Sequence, residues 1–211
     1  MEETKVLQRL FRIIPIPEIH THFSTAVKQC QRCLLHKTRS QVVVGDGTPM
    51  TDLMLIGEAP GKEEDEQGIP FVGRAGKLLD KILDYAKIDR QKIYITNSVL
   101  CRPPDNRNPL FNEEIMACNN RLMCHIYMVQ PKIIVAMGRI ALQALLGEEI
   151  KGPLGEYIEK NDLKLKIGEY EADIIVTYHP SYLLRQPSKK MDAAKHWDKI
   201  KERLKCLSTR L

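Results

Sequence analysis

The chain of 211 residues has no apolar run long enough to span a bilayer, no internal repeat and no low-complexity stretch. The missing repeat excludes solenoids and propellers, and the missing polar tracts leave no segment that reads as disordered by composition. Its first twenty residues, MEETKVLQRLFRIIPIPEIH, start acidic and are interrupted by Arg and Pro, so they read as neither a signal peptide nor a membrane span. A reducing, cytoplasmic setting is the expectation. Charge of one sign is also scarce, since Lys and Arg exceed Asp and Glu by only five. The basic stretch 189–210 permits a polyanionic partner, although a basic amphipathic helix is commonly a solvated face. One further absence matters. Gly68 and Gly73 are followed by Arg74 rather than by Lys-Ser/Thr, so the glycine-rich loop they belong to fails as a nucleotide-binding loop.

Cysteine is present in a telling arrangement. Cys30 and Cys33 form a C-x2-C pair, and Cys101 and Cys118 form a second pair far downstream. Two thiolates so spaced can face one metal centre, and a distant pair can complete the four ligands that structural zinc or an iron–sulfur cluster requires. The alternative, a small buried hydrophobe, suits Cys124 and Cys206 and is open to Cys118. It suits Cys30 and Cys33 poorly, because KQCQRCLLHK offers little core to join. In a reducing compartment such a pair is a metal or redox site rather than a disulfide.

Four β-rich runs, 52–57, 92–97, 132–138 and 173–178, alternate with helical patterns over 75–86, 112–129 and Arg139–Leu146. Alternation of this kind predicts an α/β fold, a three-layer α/β/α sandwich around a central, mainly parallel four-stranded sheet. The stretch 152–171 reads as a hairpin or irregular insertion, and a closing helix is expected over 191–204. A single domain, 1–211, with an arm at 1–40 tied in by cysteines, is the expected organisation. Ligands of open parallel sheets sit beyond the carboxyl ends of the strands, which places Glu58, Asn97 and His179 around one cleft.

Those strand ends carry GEAPG at 57–61, PFVGRAG at 70–76, YITN at 94–97, CRPP at 101–104 with NRNP beyond it, and HPSYLLR at 179–185. Together with the C-x2-C pair, in this order, they resemble the family 4 uracil-DNA glycosylases, the iron–sulfur branch of that superfamily, over most of the chain from Cys30 onward. The resemblance implies a hydrolase of base excision repair that releases uracil from single- or double-stranded DNA, acting as a monomer. It implies a 4Fe-4S cluster on Cys30, Cys33, Cys101 and Cys118. It also implies a uracil pocket lined by Gly57 and Ala59, in which Phe71 stacks on the base and Asn97 reads its O4 and N3–H edge.

Breaking an N-glycosidic bond separates a cationic sugar from an anionic base. In the implied roles His179 donates to uracil O2, Glu58 sets negative charge near the sugar and positions water, and Glu64 crowds the position of a thymine methyl. A flipped base leaves a gap in the duplex, and Leu183 and Leu184 occupy the place of a wedge, flanked by Ser181 and by Arg185 for phosphate. Arg102, Arg107, Lys189 and Lys190 are further candidate phosphate contacts. Before the last strand, where the family carries an arginine-containing loop, this chain has EEIKGPLGEYIEKND, with Lys151 in the corresponding stretch. It also lacks the Arg-rich insertion with which a related branch attaches covalently to DNA, so ordinary turnover is expected. Two other classes of function fit parts of the pattern. One is a non-catalytic DNA-binding module, which would not need Glu58 with His179, and the other is an iron–sulfur electron carrier, which would not need Phe71.

Overall fold

The computed structural model describes residues 16–160 and 162–208, so the first part of the expected arm, 1–15, and the end of the basic stretch lie outside the described residues. Six strands are described: β1 (Asp46–Gly47), β2 (Leu53–Gly57), β3 (Tyr94–Asn97), β4 (Ile133–Met137), β5 (Lys164–Ile167) and β6 (Tyr170–Thr177). The helices are α1 (Ile16–Lys28), α2 (Lys62–Gln67), α3 (Arg74–Ala86), α4 (Met116–Val129), α5 (Arg139–Leu146), α6 (Leu154–Ile158), α7 (Pro180–Arg185) and α8 (Lys190–Ser208). All strands join one sheet in the order β1-β3-β2-β4-β6-β5.

The central four strands, β3-β2-β4-β6, are parallel, in register from Gly57 opposite Asn97 to Met137 opposite Thr177. Each residue of β2, β3 and β4 is buried, as expected of strands covered on both faces. Alternation within β2 then assigns the layers. Leu53 and Leu55 pack with Leu79 and Leu83 of α3 and Trp197 and Ile200 of α8, whereas Met54 and Ile56 pack with Leu122 and Ile126 of α4 and Leu142 of α5. The expected three-layer sandwich is therefore present.

The expected count of four strands is corrected to six. The two additions are antiparallel edges, β1 on β3 and β5 on β6. β1 is two exposed residues, Asp46 and Gly47, and carries no apolar signal. β5 buries only Leu165, and it forms a hairpin with β6, so the stretch 152–171 holds α6 and most of that hairpin. The HPSYLLR segment, which has no place among the helical patterns of the sequence, forms the short helix α7, because His179 caps it and Pro180 stands at its first position, where a missing N–H costs nothing. A π-helical turn at Phe111–Ile115 leads into α4.

α1 is fastened to the sheet by a buried polar contact. The Tyr94 hydroxyl on β3 lies 2.7 Å from His20 Nε2 and 2.7 Å from His125 Nε2. One hydroxyl proton serves one imidazole, so the other imidazole must donate to the tyrosine oxygen. Burial holds His125 far below the ordinary histidine value, at about 3, so this network is neutral.

Trp197 is 1 % exposed and fills the layer between α3, α8 and the sheet. Trp197→Ala should destabilise the protein by about 3–5 kcal/mol, read as a lower urea midpoint at unchanged slope.

Candidate active site

The four parallel strands reverse their winding direction at β2 and β4, and the cleft opens there, at the carboxyl ends. The Gly57 carbonyl at the end of β2 accepts from Ser98 N at 3.0 Å and from Ser98 Oγ at 2.7 Å, and the Glu58 carbonyl accepts from Val99 N at 3.2 Å. These bonds lock the two strand ends side by side. Beyond them lies a cavity of about 230 Å³, lined among others by Glu58, Ala59, Glu64, Phe71, Asn97 and His179. It is smaller than the roughly 300–1,000 Å³ of drug-sized ligand sites and suits a single planar heterocycle.

Phe71 is held in a backbone conformation that bulky residues avoid, with φ at 56°. Such a conformation costs about 1–3 kcal/mol and persists only when its surroundings enforce it. The enforcing contacts are specific. Glu64 Oε1 accepts from Val72 N at 3.0 Å and from Gly73 N at 2.8 Å, while Glu64 Oε2 accepts from Gly61 N at 3.0 Å. On the other side, Arg90 Nη2 donates to the Pro70 carbonyl at 2.9 Å and Nη1 pairs with Asp80 at 2.7 Å. Gly76 completes the clamp, since any Cβ there would run into the Phe71 carbonyl. A Cβ at Gly57 would likewise meet the Phe71 ring and the Asn97 carboxamide, so the floor of the cavity requires glycine.

Two buried polar atoms in this cavity have no hydrogen-bond partner, Asn97 Oδ1 and His179 Nε2. Unpaired buried polar groups are rare in native structures, and here both line one concavity beside an aromatic ring. The His179 and Phe71 ring centroids are 5.6 Å apart. His179 Nδ1 accepts from Ser181 N at 3.1 Å and lies 2.8 Å from Ser181 Oγ, so in the neutral ring the proton is assigned to Nε2. Burial, with the Arg185 guanidinium nearby, pushes the imidazole down to about 4. His179 is thus a neutral donor with a free N–H. Burial raises the Glu58 carboxyl above its ordinary value, and Arg185 opposes that rise.

The site residues named from sequence separate here. Gly57, Glu58, Ala59, Glu64, Phe71, Asn97, His179, Ser181 and Arg185 gather at or around the cavity. Glu64 lines it, but its carboxylate is taken up by the three backbone amides, so it shapes the wall through Phe71. Leu183 is 1 % exposed and belongs to the interior, whereas Leu184 is 36 % exposed on α7 beside the groove outside the cavity. Leu183 as a DNA-contacting wedge is therefore corrected. Among the candidate phosphate contacts, Arg107 forms a two-pronged pair with buried Glu114, Arg102 donates to Asn106 and Lys189 pairs with Asp192. Arg90 and Asp80 had no sequence signal, being ordinary charges on a helix and a turn. In the stretch 151–157, where the family's arginine loop is absent, Arg139 donates to the Ile150 and Gly152 carbonyls and holds the chain against α5.

Cys30, Cys33, Cys101 and Cys118 line a second cavity, on the α1 and α4 side of the sheet. Among the described residues no three His, Cys, Asp or Glu side chains close on a single ion. Burial raises the thiols of Cys33 and Cys101, and that of Cys118 to about 12. Cys206, expected in the interior, is exposed, and Cys124 is half-buried.

Residues 44–205 match the uracil DNA glycosylase superfamily. The chain belongs to that family. It is 42 % identical to the type-4 uracil-DNA glycosylase of Thermotoga maritima, over 80 % of this chain and 84 % of the relative. Likeness to the type-4 enzyme of Pyrobaculum aerophilum is 41 % over 77 % and 83 %, and to that of Archaeoglobus fulgidus 35 % over 83 % and 88 %. A type-5 enzyme of Thermus thermophilus is 33 % identical over 49 % of this chain. The superfamily match thus spans all four central strands and both loops that build the cavity.

Glu64→Ala frees three backbone donors of the Phe71 loop. The Gly73 N–H is buried and the Gly61 and Val72 N–H groups are half-buried. A buried donor left unpaired costs about 1–3 kcal/mol, so this variant should melt below wild type, and Arg90→Ala should melt lower by a smaller margin. Equal melting temperatures for Glu64→Ala and wild type would contradict the clamp.

Proposed function

We propose that this chain is a DNA repair glycosylase that hydrolyses the N-glycosidic bond of uracil in DNA, freeing uracil and leaving an abasic site. The reading is carried by the two unpartnered atoms, Asn97 Oδ1 and His179 Nε2, facing one cavity beside the Phe71 ring. Uracil supplies what they lack. Its N3–H donates to Asn97 Oδ1, its O4 accepts from the same carboxamide, and its O2 accepts from His179 Nε2–H, with Phe71 as the stacking face.

The bond breaks with negative charge growing on the base. A neutral imidazole already desolvated and oriented by Ser181 donates to that charge without reorganising, which is where a donor contributes most, roughly 3 kcal/mol. Glu58, as carboxylate, stands on the opposite side of the reaction, where it stabilises the cationic sugar and orients the attacking water. Arg185 lies by both groups and supports their charge states. To reach the cavity the nucleotide must leave the stack, and Leu184 is the side chain available to enter the space it vacates. Single- or double-stranded DNA is the partner, the protein acting as a monomer in a reducing cytoplasm. No described helix is long and apolar enough to cross a membrane.

The cysteines hold a 4Fe-4S cluster in this reading. All four line one cavity yet do not close on a single ion, and a cubane sets its ligand sulfurs farther apart than one zinc does. Cys30, Cys33, Cys101 and Cys118 would hold the cluster as thiolates, giving up their protons on binding. The cluster's task is structural, joining the arm that carries Cys30 and Cys33 to the loop after β3 and to α4.

His179→Ala should lower the single-turnover rate by roughly a hundredfold or more while uracil-DNA affinity changes little, because its main interaction develops with the bond cleavage. A His179→Ala enzyme at full rate would remove it from the mechanism. The pH profile gives a second check. Since His179 gains a proton only near 4, the rate should show no inflection at the ordinary histidine value of 6.5. As pH falls, Glu58 takes up its proton at a raised value, so the part of the acid limb that Glu58 causes should be missing from the residual rate of Glu58→Gln, leaving only the fall near 4. Leu184→Ala should reduce excision from duplex more than from single strands, and equal losses would assign Leu184 to packing.

A further inference from the structure

We propose that Arg39 and Arg121 are positioning residues of the four-cysteine centre, donating N–H groups to its sulfurs and offsetting its negative charge, and so setting its reduction potential. The inference rests on the cluster reading above. Arg39 Nη1 donates to Cys101 Sγ at 3.0 Å, and its Nη2 donates to the Cys30 carbonyl at 2.7 Å and the Lys28 carbonyl at 3.4 Å. One guanidinium therefore spans a cysteine sulfur after β3 and the backbone of the arm. Arg121 stands one turn after Cys118 on α4 and lines the same cavity. Its Nε is buried without a hydrogen-bond partner.

A buried guanidinium N–H without an acceptor is costly, and Arg stays charged in proteins. The cavity it lines offers sulfur. Four thiolates leave an iron–sulfur assembly net negative, and little of this cavity's wall is charged apart from its arginines, Arg32, Arg39 and Arg121. Net charge and hydrogen bonds to sulfur are the levers that protein applies to such a centre. Positive charge and N–H donors favour the more electron-rich state, so they raise the potential. The fork of Arg39 adds an orienting role, because it fixes Cys30 and Cys101 relative to one another, which a point charge on Lys cannot do.

The test uses anaerobically prepared full-length protein, wild type beside Arg39→Gln, Arg39→Lys and Arg121→Gln. Iron per chain, visible absorption, the potential by protein-film voltammetry and the rate of iron loss to a chelator are measured for each. Expected is a more negative potential in both Gln variants, with Arg39→Lys between wild type and Arg39→Gln. Iron should leave the Gln variants roughly tenfold faster or more. Arg121→Gln removes no bond to the arm backbone, so its shift stands even if Arg39→Gln loses iron during purification. Iron-loaded wild type with both Gln variants at wild-type potential and release rate overturns this inference alone. Wild type that binds zinc or no metal overturns the cluster reading, and this inference with it.

Discussion

Burial of the parallel strands up to their carboxyl ends is the constraint on which the site depends. β2, β3 and β4 are buried along their whole length, and the side chains that follow them emerge into a crevice closed by the Pro70–Gly76 and Cys101–Pro109 loops. Desolvation there has three outcomes that depend on residue type. It keeps His179 neutral, raises the Glu58 carboxyl and leaves Asn97 Oδ1 without a partner. In bulk water each of these groups would be hydrated and ordinary. Inside, they form a fixed set of dipoles whose complement is a planar base with alternating acceptors and one donor.

Fixing those dipoles takes more residues than touching the base does. The left-handed Phe71 is a strained element of the pocket, and it is held by Glu64, Arg90 and the absent side chain of Gly76. The second wall is held in a similar way. Glu114, 3 % exposed in the π-helical turn before α4, accepts from Arg107 through both oxygens and from Leu110 N, so the NRNP turn is pinned before α4 begins. The Glu114 carboxyl is held below its ordinary value chiefly by Arg107, so this pin persists through mild acid.

What could be read from the sequence divides along physical lines. Buried parallel strands are continuous apolar runs, and all four were legible, as were the residues at their ends. Edge strands were not, because a two-residue antiparallel bridge at Asp46–Gly47 needs no apolar pattern and β5 buries one side chain. α7 was missed because six residues opening on Pro180 look like a turn until His179 caps the helix. Leu183 and Leu184 are adjacent and chemically alike, and only the helix that carries them decides which one faces outward. Glu64 was placed at the cavity correctly, but its role depends on three backbone amides, which no motif reveals. Arg39, Arg90 and Arg121 were invisible for a related reason, since a charged residue declares its partner only in three dimensions.

The cysteine centre and the pocket share one length of chain. β3 ends at Asn97, the Leu100 carbonyl accepts from Val43 N at 2.9 Å, Cys101 follows, and the same segment continues to Pro103 and Asn106–Asn108 on the cavity wall. Anchoring Cys101 therefore limits how far that wall can move relative to Asn97. The arm reaches the same strand at its other end, where His20 of α1 meets the Tyr94 hydroxyl. A constraint placed on Cys101 thus reaches the cavity wall through the chain itself. Cys101 follows the Asn97 carboxamide closely along the chain, and the Val43–Leu100 bond pins the segment between them, so a displacement at the sulfur is passed on to the cavity wall at Asn97.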